Sequence, residues 1–294
     1  MDFIEAKTIM TKVKNGDSWY GVDFNMNLYR GCSHGYIYCD SRSDCYKIEG
    51  FDRVRSKKDA LLILERELQK SKKTGVIGIG AMSDTYNHAE KKYEITRGAL
   101  KLIKKYGYGV SIDTKSDLVL RDLDILKEIN KSNNVIVKIT ITTPNDELSK
   151  NIEPYAPVSS QRFKAIKELN GAGIYAGIML NPVLPFVTDN EEDIKKLVYL
   201  AHINGAKFIH TYMGMTLRDR QRDYYLEKID ELFPGMMQKY FKCYQERYDC
   251  TVLSAKYLYG VFVDECKKYG ILYNMKDIIK AYKVKKSDEQ ISLF

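Results

Sequence analysis

The chain has 294 residues, of which 44% are hydrophobic and 29% charged, so it has the composition of a soluble globular protein that can bury a sizeable core. Its net charge of +8 is compatible with a phosphate-bearing partner, although basic runs are also common on solvated helix faces. Its N-terminus lacks the pattern of a secretion signal and no apolar run is long enough to span a bilayer, so we expect a cytoplasmic protein without membrane contact.

Short apolar runs alternate with amphipathic stretches along the first two thirds of the chain. Strands are predicted around residues 22–28, 76–80, 110–112, 135–141, 174–180 and 207–212. Helices are predicted between them, including residues 91–106, 118–129, 159–169 and 191–202. Continuous apolar strands that alternate with helices favour a parallel sheet that is covered on both faces.

The number of these units limits the architecture. Six strand–helix units are too few for an eight-fold barrel and fit an open, partial (βα)6 TIM-like barrel, with the functional loops at the C-terminal ends of the strands. From residue 216 onward the pattern is helical and rich in charge and tyrosine. We therefore predict an α/β protein with a partial barrel over residues 1–215, a C-terminal helical extension over 216–284 and a flexible tail over 285–294.

A loop after the first predicted strand, here called the cysteine loop, is the most informative segment. Its residues 30–46 read Arg-Gly-Cys-Ser-His-Gly-Tyr-Ile-Tyr-Cys-Asp-Ser-Arg-Ser-Asp-Cys-Tyr. Clustered cysteines in a cytosolic chain more often bind metal or do redox chemistry than form disulfides. Three further cysteines near the C-terminus have spacings that match no tight ligand motif, so we expect ordinary thiols at Cys243, Cys250 and Cys266.

The cysteine loop resembles the C-x3-C-x2-C loop of radical S-adenosylmethionine (SAM) enzymes, with Tyr36 in the place of the middle cysteine. The flanking residues are similar to those of the spore photoproduct lyase-like branch of that superfamily. The resemblance implies a [4Fe–4S] cluster held by cysteine thiolates, with an open iron that chelates SAM. In that family, reductive cleavage of SAM releases methionine and a radical that abstracts hydrogen from the substrate.

Tyr36 leaves three alternatives open, because a phenol is a poor substitute for a thiolate at an iron–sulfur site. The chain binds the cluster weakly or not at all, or a nearby thiol folds back as the third ligand, or Tyr36 itself coordinates an iron. On the second alternative the metal ligands are Cys32, Cys39 and Cys45. Iron and sulfide content after anaerobic reconstitution decides among the three.

The loops after the later strands resemble the SAM site of the same branch. The resemblance implies that Ser83 and Asp84 hold the methionyl ammonium and that Lys115 pairs with the carboxylate. It also implies that Tyr38 packs against adenine and that Thr142 hydrogen-bonds ribose or carboxylate. Read locally, the serine or the aspartate is equally consistent with a helix cap, and the lysine with an ordinary surface residue.

Hydrogen transfer needs a separate candidate. Spore photoproduct lyase carries a hydrogen-donating cysteine in the loop after its second strand, and residues 78–87 of this chain contain no cysteine. Tyr86, in that loop, is therefore the candidate for relaying a hydrogen atom near the substrate mouth.

The chain ends in an amphipathic pentapeptide, Gln290, Ile291, Ser292, Leu293 and Phe294. It resembles the Q-L-[S/D]-L-F motif by which bacterial replication and repair proteins bind the sliding clamp, with the glutamine at the rim and the last two residues in an apolar pocket. The alternative is a hydrophobic plug that docks on the chain's own barrel. A clamp-binding tail implies a substrate that is met on DNA.

Together these resemblances predict a lyase-like radical SAM enzyme that acts on nucleic acid in DNA repair. A cluster-deficient, non-catalytic protein that binds DNA or the sliding clamp on the same scaffold is the first alternative. A radical SAM enzyme that modifies RNA or a metabolite is the second. Iron content and reductive cleavage of SAM separate the prediction from the first alternative, and a functional clamp-binding tail argues against the second.

Overall fold

The computed structural model describes residues 1–14 and 19–283 of the chain. Within these residues, no helix combines the length and the apolar character needed to cross a membrane. The predicted clamp-binding peptide, residues 290–294, lies outside the described part of the chain and stays a prediction.

The strands form one large sheet and two small ones. In chain order they are β1 (Asp2–Ile4), β2 (Met10–Lys12), β3 (Phe24–Met26), β4 (Tyr29–Arg30), β5 (Arg55–Lys57), β6 (Val76–Ile79), β7 (Gly109–Thr114), β8 (Val135–Thr140), β9 (Tyr175–Leu180), β10 (Ile209–Thr211), β11 (Gly214–Thr216) and β12 (Asp249–Thr251). The large sheet has the order β10-β9-β8-β7-β6-β3-β2, the second sheet the order β1-β5-β4, and β11 pairs with β12.

The helices cover the large sheet and extend beyond it. They are α1 (Ala60–Lys70), α2 (Glu90–Tyr93), α3 (Ile95–Lys105), α4 (Leu123–Ser132), α5 (Asp146–Ile152), α6 (Ser159–Gly171), α7 (Glu191–Ile203), α8 (Asp219–Leu232), α9 (Met236–Tyr244), α10 (Ala255–Tyr269) and α11 (Met275–Tyr282). Short 3-10 turns occupy Trp19–Gly21, Asp40–Arg42, Asp44–Tyr46 and Asp117–Asp122.

Six strands of the large sheet, β3 and β6 to β10, run parallel, and β2 is antiparallel at the edge. Helices connect successive parallel strands, which confirms the partial (βα)6 barrel. Every residue of β8 is buried, as expected of a central strand with both faces covered. The short edge strand β2 lies beside β3, so the barrel is open.

The predicted helix over residues 91–106 is two helices. The backbone at Glu94 is left-handed, with φ of 48°, and separates α2 from α3. The buried carboxylate of Glu90 accepts hydrogen bonds from the backbone N–H groups of Thr96 at 3.0 Å and Arg97 at 3.3 Å. These bonds satisfy two N–H groups of the first turn of α3 that have no partner within the helix.

The region after residue 216 is largely helical, which confirms the C-terminal helical extension. The strands β11 and β12, which flank α8 and α9, pair antiparallel, and α10 packs against α7. Tyr225 and Tyr240 of the extension belong to the same buried cluster as Cys32 and Tyr36 of the cysteine loop. The extension therefore supports the cysteine loop, while the boundary at residue 215 stays a prediction.

Candidate active site

A cavity of about 330 Å³ lies at the C-terminal edge of the parallel strands. Its lining combines the cysteine loop with the segments after β6 to β9, and includes Cys32, Tyr36, Tyr38, Cys39, Ser83, Asp84, Asp113, Lys115, Thr140 and Asn181. Gly80, which follows β6, has φ of +100°, and a Cβ atom there would lie 2.0 Å from the Asp113 carbonyl oxygen. Only glycine permits this approach, which brings two lining segments together.

Tyr36 lies between the two cavity-lining thiols in sequence and contacts one of them. Its hydroxyl oxygen is 3.2 Å from Cys32 Sγ, and its ring stacks on Tyr38 with centroids 5.9 Å apart. Burial raises the pKa of the Tyr36 hydroxyl well above its usual value and raises the pKa of Cys39 to about 12. Burial also acts to raise the pKa of Cys32, but His34, 3.7 Å from its sulfur, lowers it. Cys32 is therefore the more readily ionised thiol.

Cys45 does not reach this cavity. Its side chain is exposed, its Sγ lies 3.4 Å from Ser43 Oγ, and it is absent from the cavity lining. Across residues 1–14 and 19–283, no group of three or more histidine, cysteine, aspartate or glutamate side chains is arranged to hold a metal ion. The structure does not bring Cys45 to the cavity with Cys32 and Cys39, and its role as the third ligand stays a prediction. The donor set is one thiol short of the family motif.

Asp84 is the centre of a hydrogen-bond network that joins three segments of the cavity wall. Its Oδ1 accepts from the Tyr86 N–H at 2.9 Å and the Thr114 hydroxyl at 2.7 Å. Its Oδ2 accepts from the Lys115 N–H at 2.8 Å and pairs with His34 Nδ1 at 3.3 Å. Burial acts to raise the pKa of Asp84, but the charge of His34 lowers it to about 2. Burial acts to lower the pKa of His34, but Asp84 raises it to about 10. Asp84 is thus an ionised anchor for the surrounding loops.

Lys115 presents its ammonium to the cavity. The nitrogen lies 4.0 Å from the ring centroid of Tyr36 and 5.4 Å from that of Tyr38. No carboxylate in the part of the chain that the structure describes pairs with this ammonium. A desolvated cation held over aromatic faces and lacking an acid is suited to bind a carboxylate. The neighbouring Ser83 lines the cavity and donates a hydrogen bond to the carbonyl oxygen of Gly31.

A fully buried ion pair holds Tyr38 in the cavity wall. The Tyr38 hydroxyl donates to Glu153, which pairs with Arg162 at 2.5 Å, and both charged side chains are 0% exposed. Arg162 also donates to the carbonyl oxygens of Pro157 at 2.6 Å and Thr140 at 3.0 Å. Burial acts to raise the pKa of Glu153, but the charge of Arg162 lowers it. The pair leaves the ring of Tyr38 as a rigid apolar surface of the cavity.

Two predicted residues lie outside the cavity lining. Tyr86 is 1% exposed, donates to Asp122 Oδ2 at 3.2 Å and does not line the cavity, and its role in relaying a hydrogen atom stays a prediction. Thr142 is 2% exposed and donates to Glu153 Oε1 at 3.4 Å. The threonine that lines the cavity is Thr140, the last residue of β8, and the assignment of Thr142 to the SAM site stays a prediction. Alternation along a strand gives both threonines the same face, and the sequence does not show where the strand ends.

Two charged residues of the barrel interior have no assigned role in the sequence analysis. Lys138 Nζ lies 3.1 Å from Asp113 Oδ2 and 2.7 Å from Ser111 Oγ. Asp113 lines the cavity, and its Oδ1 is buried without a hydrogen-bond partner. An unsatisfied buried oxygen at a cavity wall is suited to accept a donor from a bound molecule. The signal in the sequence is that Lys138 is a charge within an otherwise apolar predicted strand and that Asp113 directly follows another.

The lining of the cavity therefore fits SAM better than it fits an iron–sulfur cluster. The free ammonium of Lys115, the ring of Tyr38 and the unsatisfied oxygen of Asp113 fit a ligand with a carboxylate, an aromatic base and donors, as SAM has. Cys32 and Cys39 fit an iron–sulfur cluster only in part, since the family motif supplies three thiols.

Comparison with known proteins agrees with this geometry. The radical SAM superfamily matches residues 26–198, more than half of the chain. The protein Rv2578c of Mycobacterium tuberculosis is 28% identical over 247 residues, which cover 82% of this chain and 72% of the relative. The protein MJ0683 of Methanocaldococcus jannaschii is 34% identical over 175 residues, which cover 58% of this chain and 64% of the relative.

Solved structures show the same fold. Spore photoproduct lyase complexed with dinucleoside spore photoproduct is similar with a TM-score of 0.65 and 12% identity, over 91% of this chain and 79% of that one. The radical SAM methyltransferase TsrM of Kitasatospora setae, with cobalamin and a [4Fe–4S] cluster bound, has a TM-score of 0.50 and 10% identity, over 72% of this chain and 38% of that one. Identities this low show the fold alone. The chain belongs to the radical SAM superfamily, and its fold is that of the spore photoproduct lyase-like branch.

Proposed function

We propose that this radical SAM protein is a lyase-like enzyme that acts on nucleic acid in DNA repair. Membership of the superfamily supports a [4Fe–4S] cluster and SAM as its cofactors. The observation that carries the proposal is the single cavity in which Cys32 and Cys39 lie with the unpaired ammonium of Lys115. Reductive cleavage of SAM is the chemistry that these cofactors supply in the family.

The chain's own residues bind and orient in this proposal. Lys115 pairs with the carboxylate of SAM, and Tyr38 packs against its adenine ring. Asp84 orients Lys115 through the backbone N–H and keeps His34 beside Cys32. Asp113 accepts a hydrogen bond from SAM or from the substrate through its free Oδ1.

Two exposed aromatic residues at the cavity support a nucleic-acid substrate. Trp19 and Tyr212 line the cavity and are 44% and 38% exposed, so they belong to its opening. Stacking on aromatic side chains is a general, sequence-tolerant way to hold an unpaired base. The similar spore photoproduct lyase has been solved with a dinucleoside lesion bound, which points to the same substrate class. Trp19 is the only tryptophan, so quenching of its fluorescence by a single-stranded oligonucleotide is the expected result. Unchanged fluorescence would argue for a metabolite substrate.

The Tyr36 contact favours a second candidate function. The phenol occupies the place of the family's middle thiol and bonds to Cys32 Sγ, and Cys45 lies elsewhere. A chain that assembles no cluster on this site would act as a nucleic-acid-binding protein on a radical SAM scaffold.

Anaerobic reconstitution separates the two candidates. On the first, wild type retains iron and sulfide and releases 5′-deoxyadenosine when SAM and dithionite are added. The variant Tyr36→Cys restores the third thiol, so its iron rises to about four per chain. Tyr36→Phe is the matched control, because it removes the phenol without adding a thiol. An iron-free wild type that forms no 5′-deoxyadenosine, beside an active Tyr36→Cys, would overturn enzymatic function for this chain.

The clamp-binding prediction has its own test. We expect purified bacterial sliding clamp to retain the full chain and to release a chain that ends at Glu289. Equal retention of the two would remove the clamp from the proposal and leave the cavity argument unchanged.

A further inference from the structure

Arg218 lies beside the cavity, where the charge of Asp40 acts on it without forming an ion pair. It follows β11, whose Met215 and Thr216 line the cavity. Its guanidinium carbon lies 5.6 Å from the ring centroid of Tyr46 and 5.2 Å from that of Tyr248. Its Nε is buried and lacks a hydrogen-bond partner. No carboxylate in residues 1–14 or 19–283 forms an ion pair with it.

The surroundings of Arg218 hold it in place. Its backbone N–H donates to Gln221 Oε1 at 3.0 Å, at the start of α8. The backbone N–H of Leu217 donates to the carbonyl oxygen of Tyr248 at 2.8 Å, which places the Tyr248 ring beside the guanidinium. The Tyr46 hydroxyl lies 3.2 Å from Asp40 Oδ2, and Asp40 lines the cavity. The guanidinium is therefore positioned by rings that are anchored to the cavity wall.

Two neighbouring arginines, in contrast, have guanidinium groups whose donors are paired. Arg220 pairs with Asp44 at 2.9 Å and donates to two backbone carbonyl oxygens. Arg222 donates to the carbonyl oxygen of Gln245 at 2.7 Å and to two others. The positive charge of Arg218 is not neutralised by an ion pair, and its Nε donor is unused. A guanidinium with a free charge and free donors can bind the oxygens of a phosphate.

We propose that Arg218, between Tyr46 and Tyr248, binds a backbone phosphate of the nucleic-acid strand whose base enters the cavity. This inference rests on the proposed nucleic-acid function and names a contact that this function leaves open. The exposed Arg247, which precedes Tyr248 in the chain, also forms no ion pair among the described residues. A phosphate contact sets the position of a strand without reading its sequence, so the site places the target nucleotide at the cavity.

The test measures binding of a fluorescein-labelled single-stranded oligothymidylate by anisotropy at several salt concentrations. Arg218→Gln is compared with Arg66→Gln, which removes the same charge from an exposed site on α1, where no ion pair forms in the described chain. We expect Arg218→Gln to weaken binding about tenfold, because it loses a charge-assisted hydrogen bond. The salt dependence of its affinity should fall by about 0.7 in log–log slope, the value for one phosphate on a single strand. Arg66→Gln should bind like wild type.

Each outcome bears on the inference. Wild-type affinity and slope in Arg218→Gln would overturn the phosphate site and leave the nucleic-acid function standing. A wild type that binds no oligonucleotide would overturn both. Competition by inorganic phosphate at an equal concentration of phosphate groups would show a site for free phosphate and would overturn the strand contact. If the thermal midpoint of Arg218→Gln falls, Arg218→Lys serves instead, and it should keep the salt slope while binding more weakly than wild type.

Discussion

The two sides of the cavity differ in how completely their charges and donors are matched. On one side, Asp84 after β6 and Glu153 after α5 are buried carboxylates with specific cationic partners, His34, which reaches over from the cysteine loop, and Arg162. On the side of the cysteine loop, a phenol stands at Tyr36 where the family motif has a thiol. The difference teaches that the folding of this site and its metal chemistry are separable. Buried ion pairs join the segments of the cavity wall, and one residue sets the number of thiols.

The largest effect is expected on the matched side, from Arg162→Met. The change leaves Glu153 buried without its cation and removes donors to two backbone carbonyl oxygens. Breaking a buried pair by deleting one partner lowers the free energy of unfolding by about 3–5 kcal/mol. Chemical denaturation at pH 7 measures this loss.

A double variant provides the control for that prediction. Glu153→Gln combined with Arg162→Met removes both charges, so it should recover part of the lost stability. Lys195→Ala, which breaks an exposed pair with Glu191 on α7, should leave the unfolding midpoint nearly unchanged. An Arg162→Met protein as stable as Lys195→Ala would mean that the buried pair does not hold the cavity wall.

The sequence predicted the frame of this site better than its internal contacts. The strands of the barrel and the meeting of Ser83, Asp84 and Lys115 at their C-terminal ends follow from apolar periodicity and from the family motif. The partner of Asp84 did not follow, because His34 is 50 positions away along the chain and pairs only through the fold. The partner of Tyr86 did not follow for a related reason, since Asp122 belongs to a different connection of the barrel. The periodicity of apolar residues indicates which face of a strand or helix is buried. Polar pairs between residues that are distant along the chain are visible only in the three-dimensional structure.

A smaller effect, with a characteristic pH dependence, is expected from Asp84→Asn. The neutral amide loses the ion pair with His34, which should lower the free energy of unfolding by about 2–3 kcal/mol near pH 6. The folded pKa of His34, about 10, lies above its usual 6.5, so its contribution is complete below pH 6.5 and is lost as the pH rises toward 10. The folded pKa of Asp84, about 2, lies below its usual 3.8, so its contribution is present above pH 3.8 and is lost as the pH falls toward 2.

The difference in the free energy of unfolding between wild type and Asp84→Asn should therefore be largest between pH 3.8 and 6.5 and smaller near pH 10. Urea denaturation of the metal-free proteins across this range measures it. Thr114→Val is the matched control, because it removes one hydrogen bond to the same carboxylate and leaves the ion pair with His34 in place. A difference for Asp84→Asn that stays constant between pH 6.5 and 10, as expected for Thr114→Val, would show that the ion pair with His34 contributes nothing to stability.

The smallest effect on folding is expected on the cysteine-loop side, from Tyr36→Phe. The variant loses the hydrogen bond between the hydroxyl and Cys32 Sγ, worth about 0.5–1.5 kcal/mol, and keeps the ring that stacks on Tyr38 and lies under Lys115. Tyr36→Leu, which also removes the ring, should cost more, because the contact between a desolvated ammonium and an aromatic face is worth about 2 kcal/mol. The two variants together separate the hydroxyl from the ring in the same denaturation experiment. Equal losses would mean that the Lys115 ammonium gains nothing from the aromatic face. A loss in Tyr36→Phe as large as in Arg162→Met would mean that the phenol is a structural element as important as the buried ion pair, and folding and metal chemistry would then not be separable at this site.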